Sequence, residues 1–210
     1  VCPAGTLAVF RTWNRRAEVD ALVAALPPGC LLVLDEAYFE YAEDPDYPNG
    51  IDLVRGGAPV IVTRTFSKVY GLGGLRAGYA VAAPAVLEAL LVIREAFGTN
   101  SVAQAAATAA LGDVEHVRRS VEMNRAEKAR VAGALGERGF RVLPSLTNFV
   151  TFDTGAMGRD VWKRLLARGV IVRPLDPYDM KSWLRVSVGT PPENAAFLAA
   201  LDAVLPGKRS

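Results

Sequence analysis

Leu31-Leu32-Val33-Leu34-Asp35-Glu36-Ala37-Tyr38 sets an unbroken apolar run of four directly against two carboxylates. Such a run suits a strand buried on both faces of a parallel sheet, since a half-exposed strand would alternate apolar with polar residues. Two further runs repeat the pattern. Val60-Ile61-Val62-Thr63 passes into the polar stretch Arg64 to Lys68, and Gly78-Tyr79-Ala80-Val81-Ala82 leads into a helix with Pro84 at its first position. Upstream, Val19, Leu22, Val23 and Leu26 share one face at helical spacing until Pro27-Pro28-Gly29 stops the helix. Buried strands alternating with helices predict an α/β fold.

From Pro84 onward the pattern is helical. Val86, Leu87, Leu90, Leu91 and Arg94 continue one stretch, and an Ala-rich segment from Val102 to Leu111 makes a second. Val114, Val117, Val121, Val131 and Leu135 share a face of a longer amphipathic helix ending at Gly136 or Gly139, read here as a hinge between two layers. Short strands are expected near Arg141-Val142-Leu143, Phe149 to Phe152, Val170-Ile171-Val172 and Leu184 to Val188, with a helix from Arg159 to Ala167 between them. Thr190-Pro191-Pro192-Glu193 announces the last helix with a capping box and proline at its first position. This second half reads as α+β, which gives domains at 1–112 and 113–210.

The 210 residues, 51% hydrophobic, can supply a sizeable core, and 24 basic against 22 acidic groups leave a net charge of +2. Nothing marks an acidic tail or a nucleic-acid-binding surface, so no nucleic-acid partner is expected. Cys2 and Cys30 form no CxxC pair, and with His116 the one histidine, no metal site is expected. No apolar run reaches the roughly 18 residues of a membrane span, and the start lacks the basic-then-apolar order of a signal peptide. The composition reads as cytoplasmic, with no membrane partner.

Two places concentrate chemistry. Asp35-Glu36-Ala37-Tyr38 sits at the carboxyl end of a strand, where ligands bind in open α/β sheets, although an Asp there also reads as a helix cap or a solvated turn. Thr65-Phe66-Ser67-Lys68 followed by Gly71-Leu72-Gly73-Gly74-Leu75-Arg76 has the parts of a phosphate cradle. The glycines admit close backbone approach, the hydroxyls and Arg76 donate to a dianion, and Lys68 is an amine nucleophile once its pKa is lowered. A flexible glycine loop with a solvated lysine is the competing reading. A nucleotide P-loop does not fit, because Lys68 precedes the glycines. His116 reads as a surface side chain, the charges from Arg118 to Arg130 as a solvated face, and Trp13, Trp162 and Trp183 as packing residues.

Asp35-x-x-Tyr38, then Thr65-x-Ser67-Lys68-x-x-Gly71-Leu72-x-Gly74-Leu75-Arg76-x-Gly78, then Leu184 to Thr190, resembles the pyridoxal-phosphate-dependent aminotransferases of fold type I in order and spacing. Within them the chain is most similar to the histidinol-phosphate branch, through Val33 to Tyr38, Asn100 to Gln104, Thr147-Asn148-Phe149 and Gly169 to Leu175. The resemblance implies pyridoxal 5'-phosphate as cofactor, transamination of histidinol phosphate with 2-oxoglutarate in histidine biosynthesis, and a homodimer. It further implies that Lys68 is catalytic and links to the cofactor aldehyde, that Asp35 pairs with the pyridine nitrogen, and that Tyr38 bonds the ring hydroxyl. Thr65, Ser67 and Arg76 would hold the cofactor phosphate. Arg185 would grip a substrate carboxylate, and Arg173 with Arg185 would meet the phosphate of the amino donor, a structural salt bridge being the other reading of Arg173.

The resemblance also implies a substantial segment ahead of Asp35 that this sequence does not carry, including an aromatic residue that stacks on the pyridine ring. Cys2-Pro3-Ala4-Gly5-Thr6 stands where the family has Asn-Pro-Thr-Gly-Thr, and Leu7 to Arg16 match the pattern poorly. The expectation is an N-terminally truncated chain: a remnant of the large-domain sheet (residues 1–112) followed by the small α+β domain (113–210). Two readings compete with the histidinol-phosphate one. The first is another enzyme of the same fold, an aromatic aminotransferase or a threonine-phosphate decarboxylase, and the second is a non-catalytic remnant acting as an interaction module.

Overall fold

The computed structural model describes residues 13–205, so Cys2 to Thr6 and the residues up to 12 lie outside the described part. The described chain divides into two compact units, residues 13–120 and 121–205.

In the first unit the order is α1 (Arg16–Ala24), β1 (Leu32–Asp35), α2 (Gly50–Arg55), β2 (Val60–Thr65), β3 (Gly78–Val81), α3 (Pro84–Ile93) and α4 (Ser101–Gly112), then the start of α5 (Val114–Glu137). Proline opens α3 as expected, and Asn100 caps α4 by accepting from the amide of Ala103 at 2.8 Å. The strands form one sheet in the order β1-β2-β3. β1 and β2 run parallel with Leu32 opposite Val60 and Asp35 opposite Thr63, but β3 returns antiparallel to β2, so the sheet is mixed and not purely parallel.

The expectation that β1 is buried on both faces is corrected. Leu32 and Leu34 pack with Val60 and Val62 against apolar residues of α1 and α2, whereas Val33 is 57% exposed. β1 is an end strand here, and among the described residues only one side of its pleat has a helix layer over it. A second small cluster joins Phe66, Ala77 and Ala103, so α4 anchors the loop that follows β2.

The second unit contains the rest of α5, then β4 (Arg141–Leu143), β5 (Phe149–Asp153), α6 (Gly158–Leu166), β6 (Arg173–Leu175), β7 (Met180–Ser187) and α7 (Pro191–Val204). The four strands are antiparallel in the order β4-β5-β7-β6. Val150, Phe152, Leu184 and Val186 point into one continuous core with residues of α5, α6 and α7. Thr190 and Glu193 form the expected capping box, the Thr190 amide donating to the Glu193 carboxylate at 2.7 Å.

Two readings fail in this half of the chain. The strand expected at Val170-Ile171-Val172 lies three residues later, at β6. That strand is an edge, where Pro174 costs no interior ladder bond, and Ile171 is left exposed. Nor do the charges from Arg118 to Arg130 form a uniformly solvated face: Glu127 is buried, accepting from Asn194 Nδ2 at 2.7 Å and from Arg130. A carboxylate reaches such a position only because each oxygen has a charged or amide donor.

Candidate active site

Period-two alternation sorts the end of the first unit's sheet into two faces. Leu32, Leu34 and Glu36 fall on the packed face with Val60, Val62 and Arg64. Val33 and Asp35 fall on the other with Ile61, Thr63 and Thr65. The ladder runs one step past β1, the amide of Glu36 donating to the Thr63 carbonyl at 2.9 Å. Asp35 and Thr65 thus share the open face, at the strand ends.

Asp35 is exposed, and its Oδ1 accepts from the amide of Ala37 at 3.1 Å, which closes the turn into Tyr38. The turn reading and the ligand reading are therefore compatible: one oxygen shapes the loop, and a carboxylate has a second. Beyond β2, the Ser67 amide donates to Thr65 Oγ1 at 3.1 Å, and Thr65 Oγ1 reaches the Ala77 carbonyl at 3.4 Å. Phe66 sits buried between them, its ring 5.2 Å from Tyr70 and 5.7 Å from Tyr79. That anchor turns Ser67 and Lys68 together out of the core. Lys68 Nζ lies 5.3 Å from the centre of the Tyr38 ring, so the two elements separated by the crossover meet at this amine.

Arg76 closes the cluster. Its guanidinium donates to the Gly73 carbonyl at 2.8 Å and approaches Ser67 Oγ at 3.5 Å. The residue has φ 55° and ψ 47°, a left-handed conformation uncommon outside glycine, which costs on the order of 1 kcal/mol or more. The guanidinium is thereby brought beside the Ser67 hydroxyl. The structure therefore brings Asp35, Tyr38, Thr65, Ser67, Lys68 and Arg76 to one end of one sheet. Among the described residues no group of three or more His, Cys, Asp or Glu side chains could hold a metal ion.

His116 is not a bare surface residue. Its Nε2 lies 2.9 Å from the carbonyl of Val69, the residue after Lys68. A carbonyl only accepts, so Nε2 carries the proton. Sequence reasoning also missed the burial of Glu36, 3% exposed beside Asp35, and its pairing with Arg64. The signal was available in the alternation, which puts both on one face of adjacent strands. Nearby, burial pushes the Glu40 carboxyl up and holds the Tyr41, Tyr47 and Tyr70 phenols at about 12, with the charge of Glu40 adding to the shift of each.

In the second unit, Arg173 of β6 stands directly opposite Arg185 of β7. The Arg185 guanidinium lies 4.5 Å from the Phe149 ring centre, and Arg173 donates to the Tyr178 hydroxyl at 3.3 Å. Like charges directly opposite on antiparallel strands repel. An anion taken between them would offset that repulsion.

The sequence family described as aminotransferase class I and II matches residues 13–201. Histidinol-phosphate aminotransferase 1 of Nitrosococcus oceani is 44% identical over 194 residues, which is 92% of this chain and 52% of that protein. Histidinol-phosphate aminotransferase 1 of Cupriavidus pinatubonensis is 47% identical over 197 residues, again 92% and 52%. The crystal structure of histidinol-phosphate aminotransferase from Sinorhizobium meliloti in complex with pyridoxal-5'-phosphate superposes with a TM-score of 0.85 at 34% identity, covering 93% of this chain and 54% of that one. The chain spans about half the length of the curated relatives it matches. No helix among the described residues is long and apolar enough to cross a membrane.

Proposed function

The chain belongs to the aminotransferase class I and II family, and from that membership we propose that it carries the lysine-bearing part of a pyridoxal-phosphate-dependent aminotransferase. The reaction is transfer of the amino group of histidinol phosphate to 2-oxoglutarate, in histidine biosynthesis. One observation carries the reading: Lys68, the Tyr38 ring and the Thr65–Ser67–Arg76 cluster converge at a strand end that also bears Asp35. Residues 1–112 are the remainder of the large cofactor-binding domain and 113–210 the small α+β domain. A homodimer in the cytoplasm is the setting we assign to it.

The donor set fits the cofactor. Two hydroxyls and a guanidinium suit a phosphate dianion, and a Cβ added at Gly74 would meet nothing within 4 Å, so the backbone there is open to approach. When bound, pyridoxal 5'-phosphate supplies an aldehyde carbon that takes up amino groups and a ring that withdraws electrons from the substrate's Cα. Thr65, Ser67 and Arg76 hold the phosphate. The Asp35 carboxylate keeps a proton on the ring nitrogen, and the Tyr38 hydroxyl donates to the ring oxygen. Lys68 Nζ would hold the aldehyde end at rest and, once freed by substrate, its amine would take up and return the proton carried by the substrate's Cα. Arg185 grips the carboxylate of the 2-oxo acid, and Arg173 with Arg185 takes the phosphate of the amino donor, so the two guanidinium groups are neutralised by one dianion.

An absorbance scan of the purified chain with pyridoxal 5'-phosphate, before and after borohydride, tests the reading. A reducible band in the visible to near ultraviolet that disappears in Lys68→Ala is expected. Histidinol phosphate, an aromatic amino acid and threonine phosphate are then compared as substrates, with histidinol phosphate turned over fastest. A wild-type chain that gives no Lys68-dependent band acts as a remnant and not as an enzyme, and preference for either other substrate moves the chain to that sister activity.

A further inference from the structure

We propose that the Glu36–Arg64 ion pair sets the distance between the two ends of the cofactor site, which makes both of them positioning residues; this rests on the site assignment just given. The pair is buried, and Tyr79 also hydrogen-bonds the guanidinium. Arg64 Nε and one terminal nitrogen donate to Glu36 Oε2 at 3.0 and 2.8 Å, and that same nitrogen donates to Asn49 Oδ1 at 2.8 Å. The Gly50 amide donates to Glu36 Oε1 at 2.6 Å, and the guanidinium lies 3.6 Å from the Phe39 ring centre. An added Cβ at Gly50 would stand 2.8 Å from Glu36 Oε1 and 2.6 Å from Val62 Cγ2, so the absence of a side chain there is what lets the amide reach.

The sequence neighbours of the pair give it a role. Glu36 follows Asp35, assigned to the ring nitrogen, and Arg64 precedes Thr65, assigned to the phosphate. These are opposite ends of one rigid ligand. Alternation places the pair on the packed face and the ligand groups on the open one, so neither partner touches the cofactor and both act through the backbone. Past the Glu36 to Thr63 ladder bond β1 gives way to a turn while β2 runs on to Thr65 beside β3, and the ion pair ties the two segments together beyond their last ladder bond. Apolar residues of similar volume would stabilise a core position as well or better. The fork of an arginine on a carboxylate adds direction, which apolar packing lacks.

The full chain is compared with Arg64→Lys, which keeps the charge and loses the fork, and with Glu36→Gln. Without cofactor, amide hydrogen exchange at Ala37 and Ser67 is expected to quicken by about tenfold in both variants, a hydrogen bond to a charged group being lost in each, while amides of β5 in the other unit are unchanged. With ligand, the dissociation constant for pyridoxal 5'-phosphate rises by about tenfold or more, while that for inorganic phosphate stays within about twofold, because phosphate needs one end only. Unchanged exchange at Ala37 and Ser67 overturns the proposal, as does equal weakening of both ligands, which marks general loosening. Should the parent chain bind no pyridoxal phosphate, the cofactor reading falls and the exchange comparison still judges the ion pair.

Discussion

The two units bury their apolar residues differently. The second has one continuous core, with Phe152 meeting Phe140 at 5.9 Å and Phe197 at 6.0 Å, edge to face. The first has two small clusters, an open sheet face at Val33, and a helix α3 with no buried residue. Leu91, Val92, Ile93 and Phe97 are exposed along and just after that helix. The difference teaches where each candidate site takes its rigidity. The arginines of β6 and β7 stand on a sheet whose opposite face is a packed core. The lysine cluster stands on a thinner scaffold, and hydrogen bonds and a buried ion pair take over what packing does in the other unit.

Phe152→Ala should give the largest loss, about 3–5 kcal/mol by urea denaturation, because a fully buried ring in the continuous core leaves a cavity. A loss well below that would mean the second unit is no better packed than the first. The next effect belongs to the first unit and to pH. Tyr41, Tyr47 and Tyr70 have folded values raised from 10 to about 12. Below pH 10 both states are protonated and the stability is fully present. Between pH 10 and 12 the unfolded phenols ionise and the folded ones do not, so stability falls, by on the order of 2 kcal/mol for the buried Tyr41. Ultraviolet titration should show the phenols of Tyr41, Tyr47 and Tyr70 ionising with the unfolding transition and not before it. The smallest effect is expected from Val33→Thr, within about 0.5 kcal/mol, since the side chain faces away from the packed layer. A cost above 1–2 kcal/mol would show that this face is covered in solution and would break the comparison.

What was legible in the sequence was local. The strand end at Asp35, the polar loop carrying Lys68 beyond β2, the proline that opens α3 and the capping box at Thr190 each depend on a few consecutive residues, and each lies where its residues indicated. What was not legible depends on partners far along the chain. Leu31 to Leu34 reads as doubly buried because apolar runs carry no label for an end strand. Val170 to Val172 looks like a strand until β7 selects Arg173 to Leu175 as its neighbour. Glu127 and His116 look solvated until Asn194 and the Val69 carbonyl are brought to them, 67 and 47 residues away. The motif singled out Asp35, Tyr38, Thr65, Ser67, Lys68 and Arg76, which lie at one end of one sheet, while the ion pair behind them, formed across 28 residues, was not foreseen.

The adjacency of Asp35 and Glu36, one on the open face and one in the packed layer, makes the first unit intolerant of a particular kind of genetic change. Deleting or inserting one residue within Leu32 to Glu36 would exchange the destinations of the two carboxylates. The shorter aspartate would then be asked to span to Arg64, and the longer glutamate would project where the ring nitrogen is assigned. The same length change a few residues earlier, around Pro28-Gly29, where the backbone turns through φ 78°, would be absorbed by the loop. Variation in length among relatives should therefore collect before this strand and be absent within it.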